Sequence, residues 1–386
     1  MCLFEDKTRN RKAKMQHSES LHAYLDSSCE EKSDLIRKNC NELYSIFPEG
    51  EGKKHIKGLF LKNNEGLFSG FFELFLHKLF IDMDCEVKPI QTKERENTPD
   101  FLITTSLGER FYLEAKVIMQ KGEEESANER MQRVVYDTLN RKINSPDFFI
   151  KLKIRGHPRS APSGTKLAGK LQQWIDGMNY DDVLETYNIN KRNVPTYNYD
   201  DDGWKIEFSL IPKSIAARSK ERISPLGMRV HEPRWEDTSE RISKAIEEKA
   251  SKYGKPKHPL IIALNMMSMI DTEDFIAALY GNEGLVLDKD SLSEGYLTRD
   301  GNGAYTRGPR YVNTRASGVM LFINLRLENF LNCPAMFAPH PAPDFPCPTF
   351  LRQFPTVSFN AGDITIEIGK SIKELIKIDS FTWNPG

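Results

Sequence analysis

The sequence lacks any run of about 18 apolar residues, so no membrane-crossing helix is expected. Its first residues, MCLFEDKTRNRKAKMQHSES, put charges where an export signal needs an apolar stretch. Secretion is therefore not expected, and residues 1–20 read as a loose polar arm. Cysteine is sparse: Cys2, Cys29, Cys40, Cys85, Cys333 and Cys347 include no CxxC pair. Scattered in this way they read as reduced thiols of a cytoplasmic protein. Cys333, His340 and Cys347 match no zinc spacing and lie in a proline-rich stretch, so zinc is not expected. There is no GxxxxGK[ST], no GxSxG and no HExxH. Gly301-Asn302-Gly303 lacks the strand-to-helix setting of a dinucleotide fingerprint, and Asp288-x-Asp290 lacks the other positions of a calcium loop. A net charge of −1 is not that of a chain coated in nucleic acid.

What is present begins with size. A chain of 386 residues with 39% apolar content can bury a large core and suggests two domains or one enlarged one. The even charge balance hides a local excess. Residues 130–170 hold ten Lys or Arg against only Asp137 and Asp147. Such a block either attracts phosphate or forms a solvated face.

Periodicity predicts helices over 30–46, stopped by Pro48 and the EGEG that follows, and over 65–80, apolar nearly all round and hence buried. Strands are expected at 85–90, 100–106 and 110–118, the last two joined by Leu107-Gly108-Glu109. A helix over 123–143 and a strand over 148–156 complete an α-β-β-β-α-β order. Beyond it, helices are expected at 165–177, 236–253 and 272–280, and strands at 204–211, 258–267 and 317–327. Residues 281–315 read as a long loop, and 333–355, with seven prolines, as irregular. Lys244, Lys249 and Lys252 line one side of the 236–253 helix near Tyr253; they could touch phosphate, but a solvated face is the expectation.

The segment TPDFLITTSLGERFYLEAKVI (98–118) carries the chemistry. Alternate side chains of a strand share a face, so Glu114 and Lys116 point the same way. A hairpin can bring Asp100 beside them. Two carboxylates and an ammonium would then converge, which suits Mg²⁺: that ion takes oxygen ligands and keeps several waters. Asp100, Glu114 and the carbonyl of Ala115 are the candidate ligands, and Lys116 would orient a water or stabilise developing charge. The competing reading is a Pro-Asp turn and an exposed cross-strand ion pair. Against it, both charges are embedded in apolar strands.

The pattern Pro99-Asp100, thirteen residues, Glu114-x-Lys116 resembles the PD-(D/E)XK motif of restriction-endonuclease-like nucleases, over about 90 of the 386 residues. The resemblance implies an α/β fold: an αβββαβ core with a mixed central sheet over 61–160, an N-terminal arm and helical segment over 1–60, and a C-terminal α/β region over 161–386 that extends the core or forms a second domain. It implies catalysis by Asp100, Glu114 and Lys116 with Mg²⁺, or Mn²⁺ as substitute. Glu73, set in the otherwise apolar GLFSGFFELFLHKLF, becomes a third acidic ligand by that resemblance. Gln132 and Tyr136, one helical turn apart, are similar to a pair found on the helix after the lysine in exonuclease-like branches. With Arg133, Lys151, Lys153 and Arg155 they form the expected nucleic-acid-binding set.

The function so implied is metal-dependent hydrolysis of phosphodiester bonds, with DNA as the partner and defence against foreign DNA as a setting by analogy alone. Cutting both strands would require a homodimer, a larger assembly or two successive nicks. A catalytically inactive nuclease-like binding or scaffolding protein is the alternative from another class. RNA cleavage by the same site is a third.

Overall fold

The computed structural model describes residues 2–16, 19–90, 98–119, 123–155, 163–190, 193–201, 204–214, 218, 226–231, 238–254, 256–287, 295–360 and 363–377. The chain divides into two compact units. Residues 1–13, 20–120 and 237–386 form the first, and residues 14–19 with 121–236 form the second.

The first unit begins with helices α1 (Leu21–Ser27), α2 (Glu31–Ile46), α3 (Glu51–Lys62) and α4 (Asn64–Asp82). Helix α4 is apolar on every side because every side is covered, and 14 of its 19 residues are buried. The strands β1 (Glu86–Pro89), β2 (Phe101–Thr104) and β3 (Arg110–Ile118) follow as an antiparallel meander. Two expectations need correction here. Pro48 and Gly50 end α2, but they interrupt the helical stretch for one turn only, since Ile56 and Phe60, one turn apart, bury a new apolar face as α3. The N-terminal arm is not loose. Leu3 and Phe4 are buried, and both their N–H groups donate to Asn41 Oδ1 at 2.9 and 3.0 Å.

The second unit holds α5 (Glu123–Lys142), β4 (Phe148–Arg155), α6 (Gly164–Asp176), α7 (Tyr180–Ile189), β5 (Thr196–Asp201), β6 (Trp204–Pro212) and β7 (Leu226–His231). Its sheet runs β5-β6-β4-β7. Its own core joins Tyr136 and Leu139 of α5 to Leu171 of α6, Ile150 and Leu152 of β4, and Trp204 and Phe208 of β6. The expected core over 61–160 is thus divided between the units. The α-β-β-β-α-β order exists along the chain, but β4 pairs with β6 and β7 rather than with the sheet that contains β3.

The chain returns to the first unit with α8 (Thr238–Lys252), β8 (Leu260–Met266), α9 (Thr272–Tyr280), β9 (Glu283–Leu287), β10 (Gly295–Arg299), β11 (Thr306–Arg307), β12 (Arg310–Tyr311), β13 (Ala316–Ile323), β14 (Ala335–Pro339), β15 (Thr356–Asn360), β16 (Asp363–Glu367) and α10 (Ile372–Leu375). Residues 281–315 are therefore not one long loop: their described residues include two antiparallel strand pairs, β9 with β10 and β11 with β12. The proline-rich 333–355 contains β14, whose Pro339 stands at its end.

The main sheet runs β1-β2-β3-β8-β13-β14-β15-β16. Strands β3, β8 and β13 are parallel neighbours at its centre, flanked by antiparallel pairs, so the fold is α/β with a mixed central sheet. All seven residues of β8 and all eight of β13 are buried, as strands covered on both faces must be. On one face Phe111, Leu113 and Val117 of β3 pack with α4. On the other, Ile118 of β3 and Ile262 and Leu264 of β8 pack with Ile242 and Ile246 of α8 and with α9. Among the described residues, no helix is long and apolar enough to cross a membrane.

Candidate functional site

The β2–β3 turn sets the register of the site. Gly108 takes φ +79°, a left-handed conformation that costs side-chain-bearing residues, and Thr105 N–H donates to the carbonyl of Glu109 at 2.9 Å to close the hairpin. Four pairs follow, the last being Phe101↔Leu113. One step further, Asp100 stands opposite Glu114, and opposed residues of an antiparallel pair share a face. Pro99 has no N–H to extend the ladder. The Ala115 N–H instead donates to Asp100 Oδ2 at 2.8 Å. In an extended chain the N–H and C=O of one residue point to the same side, so the Ala115 carbonyl is also directed toward Asp100.

Glu114 and Lys116 alternate with Leu113, Ala115 and Val117 and therefore face α8. Glu114 is 1% exposed. Its Oε1 accepts from Lys249 Nζ at 2.6 Å, with Lys252 Nζ at 3.7 Å. Its Oε2 is buried, and the buried Tyr253 phenol shares a side-chain hydrogen bond with the Glu114 carboxylate. Lys116 is half-buried, and its ammonium lies 3.5 Å from Glu248 of α8.

The electrostatics follow from this crowding. Burial first, and the Glu114 charge second, push the Asp100 carboxyl up to about 7, against the opposing pull of the Ala115 N–H, Lys249 and Lys252. Burial works against the Lys249 ammonium, but Glu114, Asp100 and Glu248 outweigh it and raise its pKa. The Tyr253 phenol is driven well above its ordinary value by burial and then by Glu114.

The structure brings Asp100, Glu114 and Ala115 together and puts Lys116 on the same face. Glu73 is half-buried on α4, the helix that covers the opposite face of the sheet. Gln132 and Tyr136 belong to the second unit. Both are buried there, and the Tyr136 hydroxyl donates to Gln132 Oε1 at 3.3 Å. Lys151 and Lys153 alternate with the buried Ile150, Leu152 and Ile154 and project from the other face of β4. Arg133 lies on α5 and Arg155 ends β4, but their side chains are outside the described set.

Lys249 overturns the solvated-face expectation. It is 9% exposed and sits in the stripe Ile242, Ala245, Ile246, Ala250, Tyr253 that packs against the sheet. A lysine at a core position of an amphipathic helix was the available signal. Lys244, by contrast, is exposed and paired with Glu240 at 2.6 Å.

Two facing carboxylates are a fit for Mg²⁺, which binds through one or two carboxylates and completes its shell with water and substrate phosphate. Among the described residues no group of three or more His, Cys, Asp or Glu could hold a metal, so the fit rests on that pair. Compared with family models, with curated proteins and with solved structures, the chain finds no match in any of the three.

Proposed function

We propose that the chain is a divalent-metal-dependent nuclease that hydrolyses phosphodiester bonds, with DNA as its substrate. The observation that carries this reading is the Asp100–Glu114 pair: two carboxylates held on one face of the sheet, one with its pKa pushed up to about 7 and the other buried beside it.

Element order supports it. Helix α4, the meander β1-β2-β3, helix α8 and the parallel strand β8 reproduce an αβββαβ order within one sheet, with residues 121–236 inserted between β3 and α8. This is how a restriction-endonuclease-like core would be assembled here. Asp100 and Glu114 would hold the cation, with the Ala115 carbonyl beside them. Asp100 gives up its proton as it takes up that role. A bound Mg²⁺ supplies Lewis-acid polarisation of the phosphoryl group and a more acidic water. Lys116, at the surface end of the same face, orients that water or stabilises the charge building on phosphorus. Lys151 and Lys153 supply sequence-independent attraction for phosphate.

A second reading is favoured by one observation: Lys249 already neutralises Glu114, as it would in a nuclease-like protein that binds without cutting. One experiment separates the two. The purified chain is incubated with linear, circular and single-stranded DNA and with RNA, in Mg²⁺ or Mn²⁺. Cleavage is expected, and Asp100→Asn, Glu114→Gln and Lys116→Ala should each lower it by about a hundredfold or more. Undiminished cleavage in the three variants would sink the assigned site. Tight binding without cleavage would establish the second reading.

A further inference from the structure

Lys249 and Lys252 crowd the same Glu114 oxygen, at 2.6 and 3.7 Å. The other oxygen of that carboxylate is buried, and the same carboxylate shares a side-chain hydrogen bond with the buried Tyr253 phenol. Glu114 and Tyr253 are 1% and 4% exposed, so these side chains, and not water, hold the carboxylate. On the metal-dependent reading that carboxylate is also a ligand, so the site needs a second arrangement, in which a cation enters and Lys249 gives up its place.

Resting on the metal-dependent reading above, we infer that Lys249 is a displaceable counter-ion. It holds Glu114 until a divalent cation binds Asp100 and Glu114, and its ammonium then turns to a non-bridging oxygen of the substrate phosphodiester. Its flexible four-carbon stem allows the turn without movement of α8. The charge count favours the exchange. Lys116, Lys249 and Lys252 face Glu114, Glu248 and Asp100, so an added divalent cation leaves the site with surplus positive charge, which an anionic phosphodiester neutralises. Lys249 is on this account a positioning residue that competes with the cation before substrate arrives and assists it afterwards.

The test is a calorimetric titration of the full chain with Mn²⁺ alone. Lys249→Met should bind Mn²⁺ about tenfold or more tightly than the unaltered protein, because the competing charge is gone. Lys249→Arg should stay close to the unaltered protein, and Asp100→Asn should bind none. Should Lys249→Met fail to fold, Lys249→Gln is read in the same way. Equal Mn²⁺ affinity with and without the Lys249 ammonium overturns the inference while leaving the metal site intact. No Mn²⁺ binding by any of the proteins removes the metal site itself. A second arm measures fluorescence anisotropy of a short DNA duplex in Ca²⁺ and in chelator. Lys249→Met should bind several-fold more weakly than the unaltered protein in Ca²⁺ and equally in chelator. Undiminished DNA affinity in Ca²⁺ overturns the hand-over to phosphate.

Discussion

His77 lies in α4 with its ring 4.7 Å from that of Phe47, and its Nδ1 has no hydrogen-bond partner among the described residues. Burial first and Lys53 second hold its pKa down to about 4. Below pH 6.5 the unfolded chain takes up a proton that the folded chain refuses, so stability falls as pH drops from 6.5 toward 4, by up to roughly 3 kcal/mol. Asp100 tilts the other way. Its folded pKa of about 7 lies above the ordinary 3.8, so the folded chain keeps a proton that the unfolded chain has lost. That contribution is present below pH 3.8 and disappears as pH rises through 7, on the order of 2–4 kcal/mol for the coupled pair. Thermal melts without divalent cation check both. His77→Phe should flatten the loss of melting temperature between pH 6.5 and 4.5. Asp100→Asn, whose amide oxygen can still accept from Ala115, should melt above the unaltered protein at pH 8 and lose that advantage near pH 4. Equal pH profiles for variant and parent would refute either assignment.

At the scale of the element, the β2–β3 hairpin was readable because it is local. Alternation in RFYLEAKVI predicts β3 over the residues that form it, and Leu107-Gly108-Glu109 sets a turn that puts Asp100 opposite Glu114. Gly108→Ala should cost about 1–2 kcal/mol, since φ +79° is left-handed. Chemical denaturation would show it as a lower midpoint at unchanged slope. Helix α8 was legible as a helix but not as a wall of the site. Composition ranks lysine as exposed, whereas tertiary packing turns Lys249 inward, where Glu114 compensates its charge. Strand β4 is legible as a strand, but its place in a separate sheet is not, because alternation reports which face is buried and says nothing of which strand lies alongside.

Across the whole molecule, three sets of buried apolar residues among the described residues are divided between the two units: one on each face of the main sheet, and one around Trp204 in the second unit. Two-state unfolding is not expected of such a chain. Scanning calorimetry should resolve two transitions. Leu210→Ala, in the core of residues 121–236, should lower one of them by the equivalent of about 2–5 kcal/mol and leave the other in place. A single transition that moves as one would contradict this division. The division also explains why the order of elements misled: an insertion of over a hundred residues separates parts that fold as immediate neighbours.

That separation has a consequence during synthesis. Strand β3 ends at Ile118 and its parallel neighbour β8 begins at Leu260, so about 140 residues must leave the ribosome before β3 can be zipped along its open side, a delay on the order of 10 s or more. Through that interval the nascent chain exposes an unpaired, largely apolar strand edge and an acidic side chain whose lysine partner has not yet been made. Chains terminated before residue 260 should therefore partition into the insoluble fraction, and the full-length protein should depend on chaperones that shield the waiting edge.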